Sequence, residues 1–262
     1  LDIYLSVASK TREKSKNKLY INSGDLTFTE MGESYGLDDD GYSTHAAFFD
    51  YDGDGDLDVY VLTNAYEATN RNFVRAKKMQ GESISTDRLY RNNGDNTFSN
   101  VSKEAGILIE GYGLGVAIAD INRDGWPDIY VANDFITNDL LWVNNGNGTF
   151  TDQAGDYLKH QSFNGMGVDI SDFNNDGWVD IAVMDMLPPD NMRQKTMFPD
   201  INYNHFKMIL SLGYSPQYVR NTLQLNNGNN TFSEIAYLTG IHETDWSWAP
   251  LFADFNNDGL KD

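Results

Sequence analysis

Asp50-Tyr51-Asp52-Gly53-Asp54-Gly55-Asp56-Leu57-Asp58 sets a carboxylate at every second position of nine residues. The frame returns as Asp120-Ile121-Asn122-Arg123-Asp124-Gly125-Trp126-Pro127-Asp128 and as Asp172-Phe173-Asn174-Asn175-Asp176-Gly177-Trp178-Val179-Asp180. A fourth copy is Asp254-Phe255-Asn256-Asn257-Asp258-Gly259-Leu260-Lys261-Asp262. Five acidic residues fall in the first copy and three in each of the others, 14 of the 39 in the chain. Like charges packed this closely repel unless a cation lies among them. Oxygen at positions 1, 3, 5 and 9, with Gly at 6 for the sharp turn, suits a hard ion such as calcium, and position 7 would add its backbone carbonyl. The expected ligands are therefore Asp50, Asp52, Asp54, Asp56 and Asp58, then Asp120, Asn122, Asp124, Trp126 and Asp128. Asp172, Asn174, Asp176, Trp178 and Asp180 form the third set, and Asp254, Asn256, Asp258, Leu260 and Asp262 the fourth, so three to four Ca2+ sites are expected. Plain Asp/Asn/Gly turns are the alternative, and four copies with the same five positions filled argue against it.

An EF-hand needs a bidentate Glu at position 12 and helices on both sides. Position 12 here is Val61, Val131 and Val183, and the flanks Leu57-Asp58-Val59-Tyr60-Val61 and Pro127-Asp128-Ile129-Tyr130-Val131 read as strands alternating outward and inward. A second motif accompanies the loops: Asn22-Ser23-Gly24, Asn92-Asn93-Gly94, Asn144-Asn145-Gly146 and Asn226-Asn227-Gly228, each between short apolar runs. Such Asn/Gly segments are strong hairpin signals. From the first Asn of each hairpin to the first Asp of the next loop is 28 residues in all four copies, whereas the gap from the loop's last Asp to the next hairpin is 34, 16 or 46. One connection absorbs the length variation, as in repeat folds.

The repeat is thus strand, loop, strand, variable connection, strand, Asn-Gly hairpin, strand. This predicts an all-β chain, a β-propeller of four-stranded blades with calcium-binding inter-strand loops. Repeats are expected over 1–56, 57–126, 127–178 and 179–260 of a single propeller, or part of one, with helical insertions at 65–86 and 184–220. Both chain ends fall inside a loop motif (Leu1-Asp2-Ile3-Tyr4 matches Leu57-Asp58-Val59-Tyr60), which is expected of a piece of a larger propeller.

Composition narrows the function. A net charge of −20 from 19 Lys+Arg and 39 Asp+Glu argues against nucleic acid as a partner and against docking on anionic lipid. No apolar run is long enough to span a membrane. The absence of Cys excludes a disulfide framework, thiolate zinc sites and a Cys nucleophile.

Tyr112-Gly113-Leu114-Gly115-Val116-Ala117-Ile118-Ala119-Asp120, running into Asp128-Ile129-Tyr130-Val131-Ala132, resembles the FG-GAP repeat of integrin α-chain propellers. Leu89-Tyr90-Arg91-Asn92-Asn93-Gly94-Asp95-Asn96-Thr97-Phe98, followed by Glu104-Ala105-Gly106-Ile107, is similar to the VCBS variety found in the cartilage-acidic-protein (ASPIC/UnbV-like) family. Leu187-Pro188-Pro189-Asp190 through Asn202-Tyr203 resembles surface proteins of Bacteroidetes that accompany outer-membrane nutrient-uptake transporters. These resemblances imply calcium ligands at Asp50, Asp52, Asp54, Asp58 and their equivalents. They also imply a cell-surface or extracellular interaction module, with a protein partner (an outer-membrane transporter and its lipoprotein) or a glycan. Tyr42 and Ser43 stand where the FG pair belongs, so integrin-type ligand binding does not carry over.

No Gly-x-Ser-x-Gly elbow and no His-x-x-x-His pair with an adjacent Glu occurs, and the four histidines lie in different repeat contexts, so no catalytic residues are assigned and the protein is not expected to be an enzyme. His45 shares a column with Gly115, Gly167 and Ala249 and is expected in blade packing, as are Trp246 and Trp248. The alternative function is a calcium-dependent polysaccharide lyase or other glycan-active propeller enzyme.

Overall fold

The computed structural model describes residues 1–9, 11, 14–65, 74–197 and 202–262. Its framework is a series of antiparallel sheets built one after another along the chain. The first has three strands, β1 (Ile3–Leu5), β2 (Lys18–Asn22) and β3 (Phe28–Glu30), and is followed by the short helix α1 (Gly32–Tyr35). The second is β4 (Ser43–Phe49), β5 (Asp58–Thr63), β6 (Arg88–Asn92) and β7 (Phe98–Asn100), hydrogen-bonded in chain order. The third is β8 (Gly113–Ala119), β9 (Asp128–Asn133), β10 (Leu140–Asn144) and β11 (Phe150–Asp152), again in chain order.

After α2 (Ala154–Tyr157) and the two-residue strand β12 (Gln161–Ser162), the last sheet begins with β13 (Gly167–Ser171) and β14 (Asp180–Met184). Helices α3 (Asn191–Met197) and α4 (Tyr203–Ser211) and strand β15 (Gln217–Tyr218), which pairs with β12 in parallel, intervene before β16 (Thr222–Asn226) and β17 (Phe232–Glu234) complete it. The helix α5 (Ala236–Thr239) follows. These meander sheets of four neighbouring strands are the propeller-like blades that the repeat predicts, with few helices.

The hydrogen-bonded sheets are phased one strand earlier than the divisions 1–56, 57–126, 127–178 and 179–260. The first three Asp-rich loops join the first two strands within a sheet, β4 to β5, β8 to β9 and β13 to β14, so a division at the seventh residue cuts a hairpin.

The strands expected to alternate outward and inward are instead buried throughout, because both faces of a sheet are covered by its neighbours. All six residues of β5 and of β9 are buried. Val59 and Val61 pack with Leu19 and Leu37 toward the first sheet, while Tyr60 and Leu62 pack with Ile129, Val131, Leu140 and Trp142 of the third. Tyr130 and Ala132 in turn meet Ile181, Val183 and Phe232 of the fourth. The inner strands approach until side chains no longer fit: a Cβ on Gly115 would lie 2.8 Å from Cα of Gly167, and one on Gly167 would lie 2.1 Å from the carbonyl oxygen of Trp248.

That contact column corrects two expectations. His45 is exposed, because the three-stranded first sheet has no counterpart of β4 to lie against it. Trp246 and Trp248 are 55 % and 56 % exposed: the backbone of this segment, not its indoles, packs on β13.

Strand direction sorts the connections onto two ends. In the three four-stranded sheets the Asp-rich loop and the Asn-Gly hairpin share one end, and the variable connection lies at the other. Within the insertion expected at 65–86, residues 66–73, including Arg71, lie outside the described residues; residues 74–84 are irregular rather than helical. Glu110 organises that stretch, pairing with the Arg75 guanidinium and accepting from Lys78 N at 2.8 Å. The insertion at 184–220 does carry helices. Asn202 caps α4 by accepting from the amides of Asn204 and His205. Ile209 and Tyr214 pack against Val74, Ile136 and Phe163, and the Tyr214 hydroxyl donates to the Arg75 carbonyl at 2.9 Å. The two insertions are therefore joined into one surface, opposite the Asp-rich loops.

Candidate metal centre

Backbone amides brace all four loops, through positions 4 and 6 in the first and positions 5 and 6 in the others. The position-1 carboxylate accepts twice: Asp50 from Gly53 and Gly55, Asp120 from Asp124 and Gly125, Asp172 from Asp176 and Gly177, Asp254 from Asp258 and Gly259, all at 2.7–3.1 Å. The position-9 carboxylate reaches back to the amide at position 2, as in Asp128 to Ile121 (2.9 Å) and Asp262 to Phe255 (2.9 Å). The loop is closed at both ends by its own acids.

The fit to a cation is best in the first loop. One carboxylate oxygen each of Asp50, Asp52 and Asp58 lies within 4.8 Å of the others. Asp52 Oδ1 and Asp56 Oδ1 are buried without a hydrogen-bond partner. Orphaned anionic oxygens of this kind need a partner, and a hard cation supplies one. In the second and third loops position 3 is Asn, and its Nδ2 donates to the position-5 carboxylate: Asn122 to Asp124 at 2.8 Å and Asn174 to Asp176 at 2.9 Å. A cation there would displace that contact.

Electrostatics follow the crowding. Burial pushes Asp58, Asp128 and Asp180 up to about 6 each, against the lowering effect of the amides they accept from. Asp52 is raised by burial and by the charge of Asp54, whereas Asp254 is lowered by the Gly259 amide.

One participant escaped the sequence reading. The first Asn of each hairpin is tied to the loop beside it: the amides of Asn92, Asn144 and Asn226 donate to Asp58, Asp128 and Asp180 at 2.8 Å. Its side chain then crosses to the preceding sheet, Asn144 Nδ2 to the Tyr51 carbonyl at 2.8 Å and Asn226 Nδ2 to the Ile121 carbonyl at 3.1 Å. The signal was present, since Asn opens the hairpin in all four copies; its Oδ1 accepts from the Gly amide two residues on, which explains the Asn locally and masked its second role. Position 7 also has a role beyond its carbonyl. A Cβ on Gly146 would lie 2.8 Å from Trp126 Nε1 and one on Gly228 2.9 Å from Trp178 Nε1, so each indole roofs the hairpin of its own sheet. Arg123 of the second loop lies 5.1 Å over the Trp178 ring of the third, stitching successive loops along one rim.

Two of the histidines sit in side-chain contacts. His160 Nε2 is held by Arg220 at 2.6 Å and Glu234 at 3.1 Å, and the His242 ring packs on Tyr237 at 4.1 Å.

Cartilage acidic protein 1 of Mus musculus is 32% identical over 139 residues, 52% of this chain and 20% of that protein. The Xenopus tropicalis protein of that name is 35% identical over 121 residues, 42% of this chain and 18% of its own length. The Homo sapiens one is 28% identical over 205 residues, 73% of this chain and 28% of its own length. The chain thus spans less than a third of the curated relatives it matches. Among solved structures, one described by its recognition of non-reducing terminal N-acetylglucosamine, an Agrocybe aegerita lectin, aligns over 99% of this chain and 69% of its own, at 17% identity and a TM-score of 0.30. The model of FG-GAP-like repeats matches residues 1–61, 79–131, 120–183 and 209–262, four stretches that each include all or part of an Asp-rich loop. With its hairpins, loops and blades on that pattern from end to end, the chain belongs to the FG-GAP-like repeat family.

Proposed function

We propose that this chain is an extracellular interaction module whose loops hold Ca2+ at one end while its insertions present a binding surface at the other. The observation that carries the reading is the first loop, where Asp50, Asp52 and Asp58 converge and Asp52 leaves a buried oxygen unpartnered. The ligand sets are those of the four loops: Asp50, Asp52, Asp54, the carbonyl of Asp56, and Asp58 in the first, with the equivalent positions in the others. The ion's role is structural. It neutralises each loop and fixes the turn between the first two strands, and the first loop, with five carboxylates, binds most tightly. Extracellular modules bind calcium at roughly 10⁻⁴ to 10⁻³ M, which suits an ion-rich surrounding.

The partner is a protein or a glycan, and the resemblance of residues 187–203 to bacterial surface proteins directs the search to an outer-membrane nutrient-uptake system. Affinity capture on detergent-solubilised envelope, with the calcium-loaded chain as bait, tests this. Recovery of a transporter and its lipoprotein with calcium and not in EDTA is expected; equal recovery in both would contradict the reading.

A further inference from the structure

Asn-Gly occurs five times in the chain, at Asn93, Asn145, Asn147, Asn164 and Asn227. At such a junction the glycine amide can attack the side-chain carbonyl carbon before it, because no Cβ on the glycine stands in the way. Four of the five are closed to that reaction. The amides of Gly94, Gly146 and Gly228 donate to the side chains of Asn92, Asn144 and Asn226 at 2.9–3.1 Å, and the Gly165 amide donates to the Asn133 carbonyl at 2.9 Å. The attacked groups are tied as well. Nδ2 of Asn93, Asn145 and Asn227 donates to the hydroxyls of Thr97, Thr149 and Thr231 at 2.9–3.1 Å, and Asn164 is buried. The indoles of Trp126 and Trp178 further crowd Gly146 and Gly228.

The Asn147-Gly148 junction differs at each point. The Gly148 amide and Asn147 Nδ2 donate to none of the described residues. A Cβ on Gly148 would meet nothing within 4 Å, and Asn147 is exposed. Asn147 Oδ1 accepts from the Thr149 amide at 3.1 Å and from the Thr149 hydroxyl at 2.7 Å. That hydroxyl accepts from Asn145 Nδ2 at 2.9 Å, which turns its own proton toward Asn147. Two donors therefore sit where negative charge develops on oxygen as a nitrogen adds to Cγ.

We propose that Asn147 is a self-modification site, converting to an acid through a cyclic imide. The Gly148 nitrogen bonds to Asn147 Cγ, the Cγ–Nδ2 bond breaks, and the amide proton leaves with Nδ2 as ammonia. Water then opens the imide, its hydroxyl going to a carbonyl carbon and its proton to the Gly148 nitrogen. Opening at Cγ gives aspartate on an unchanged backbone. The hairpin already holds that product elsewhere: Asp25 and Asp95 occupy this column and accept from the amides of Thr27 and Thr97 at 3.1 Å, and from their hydroxyls. Opening at the backbone carbonyl gives isoaspartate, which adds a methylene to the turn that pairs Asn144 with Phe150. Asn147 and Asp52 line the same cleft, so conversion adds negative charge beside the first Asp-rich loop.

The full calcium-loaded chain, held at pH 8 and sampled over weeks, tests this by peptide fragmentation at each junction. Asn147 is expected to convert about tenfold or more ahead of the other four, which must first break the hydrogen bonds that hold them. In the chain unfolded by urea the five rates should converge. Gly148→Asn installs the residue that the second and fourth repeats hold there at positive φ, Asn96 and Asn230, so the fold is kept. It should slow Asn147 to the pace of the other junctions. Conversion spread evenly over the five in the folded chain overturns the proposal. So does an Asn147 that stays intact while the unfolded chain converts, or a rate unchanged by Gly148→Asn.

Discussion

Asn144 is buried and engages all its polar atoms. Its amide donates to Asp128, its Oδ1 accepts from Gly146 at 2.9 Å, and its Nδ2 donates to the carbonyls of Tyr51 and Pro127. Asn92, its counterpart one repeat earlier, keeps the contacts within its own sheet, to Gly94 and Leu57, but lies half-buried beside the three-stranded sheet. Asn144→Ala should therefore lower stability by about 2 to 3 kcal/mol and Asn92→Ala by about half of that, measured as shifts in urea midpoint at constant m. Equal losses would show that the contact across the sheets contributes nothing.

A second buried group makes a pH prediction. Burial pushes Asp87 and Asp139 up to about 7, each accepting from a tyrosine hydroxyl, Tyr60 or Tyr130, at 2.8 Å. Their ordinary value is 3.8, so the folded state is favoured when they are protonated. This contribution is full below pH 3.8, declines from there, and is lost as pH rises through 7. The first repeat has Asn17 in this column, with Oδ1 accepting from Val7 and Nδ2 donating to the Tyr4 hydroxyl, which shows that an amide fits. Asp87→Asn with Asp139→Asn should raise stability at pH 8, on the order of 1 to 3 kcal/mol per site, and flatten its decline between pH 5 and 8 in EDTA. An undiminished slope would place the titrating groups elsewhere.

At the scale of elements, the hairpin has two residues of positive φ in every copy: Gly94 with Asn96, Gly146 with Gly148, Gly228 with Asn230, and Gly24 with Leu26. Leucine at φ +69 is strained, and Leu26 is 93 % exposed, so its side chain returns nothing in packing. Leu26→Asn should raise stability by about 0.5 to 1 kcal/mol, read from the thermal midpoint; a loss would mean the leucine has a contact that its exposure hides.

The loops and hairpins were legible in the sequence because each is specified locally, by acids that accept the loop's own amides and by Asn/Gly at left-handed positions. The latch from Asn144 to Tyr51 was not, since it joins residues 93 positions apart through a backbone carbonyl, which carries no side-chain identity. The same holds for residues 74–84: their apolar and basic composition suited a helix, yet Glu110 captures Arg75 and the Lys78 amide and holds the chain irregular.

Across the whole molecule, the repeat puts one kind of chemistry on each end. Acidic loops, with 14 of the 39 carboxylates, line one rim; the joined insertions, with the Phe206–Tyr218 stack, occupy the other. The blade pattern was legible from the constant 28-residue interval, because a rigid span between hairpin and next loop leaves only the far-end connection free to vary. Exposure of His45, Trp246 and Trp248 was not, because a column aligned on buried glycines says where the backbone packs and not whether a neighbouring strand is there to cover a side chain.

The account turns on whether the acidic rim is held by a cation. Calorimetric melts of the full chain in 10 mM CaCl₂ and in EDTA decide it. With dissociation constants of roughly 10⁻⁴ to 10⁻³ M, each occupied loop adds about 1.4 to 2.7 kcal/mol at that concentration. Three or four loops should together raise the melting temperature by about 10 °C or more, and Asp52→Ala with Asp54→Ala should remove one share and leave the rest. A melting temperature identical in calcium and EDTA would contradict the account and reduce the four loops to plain turns.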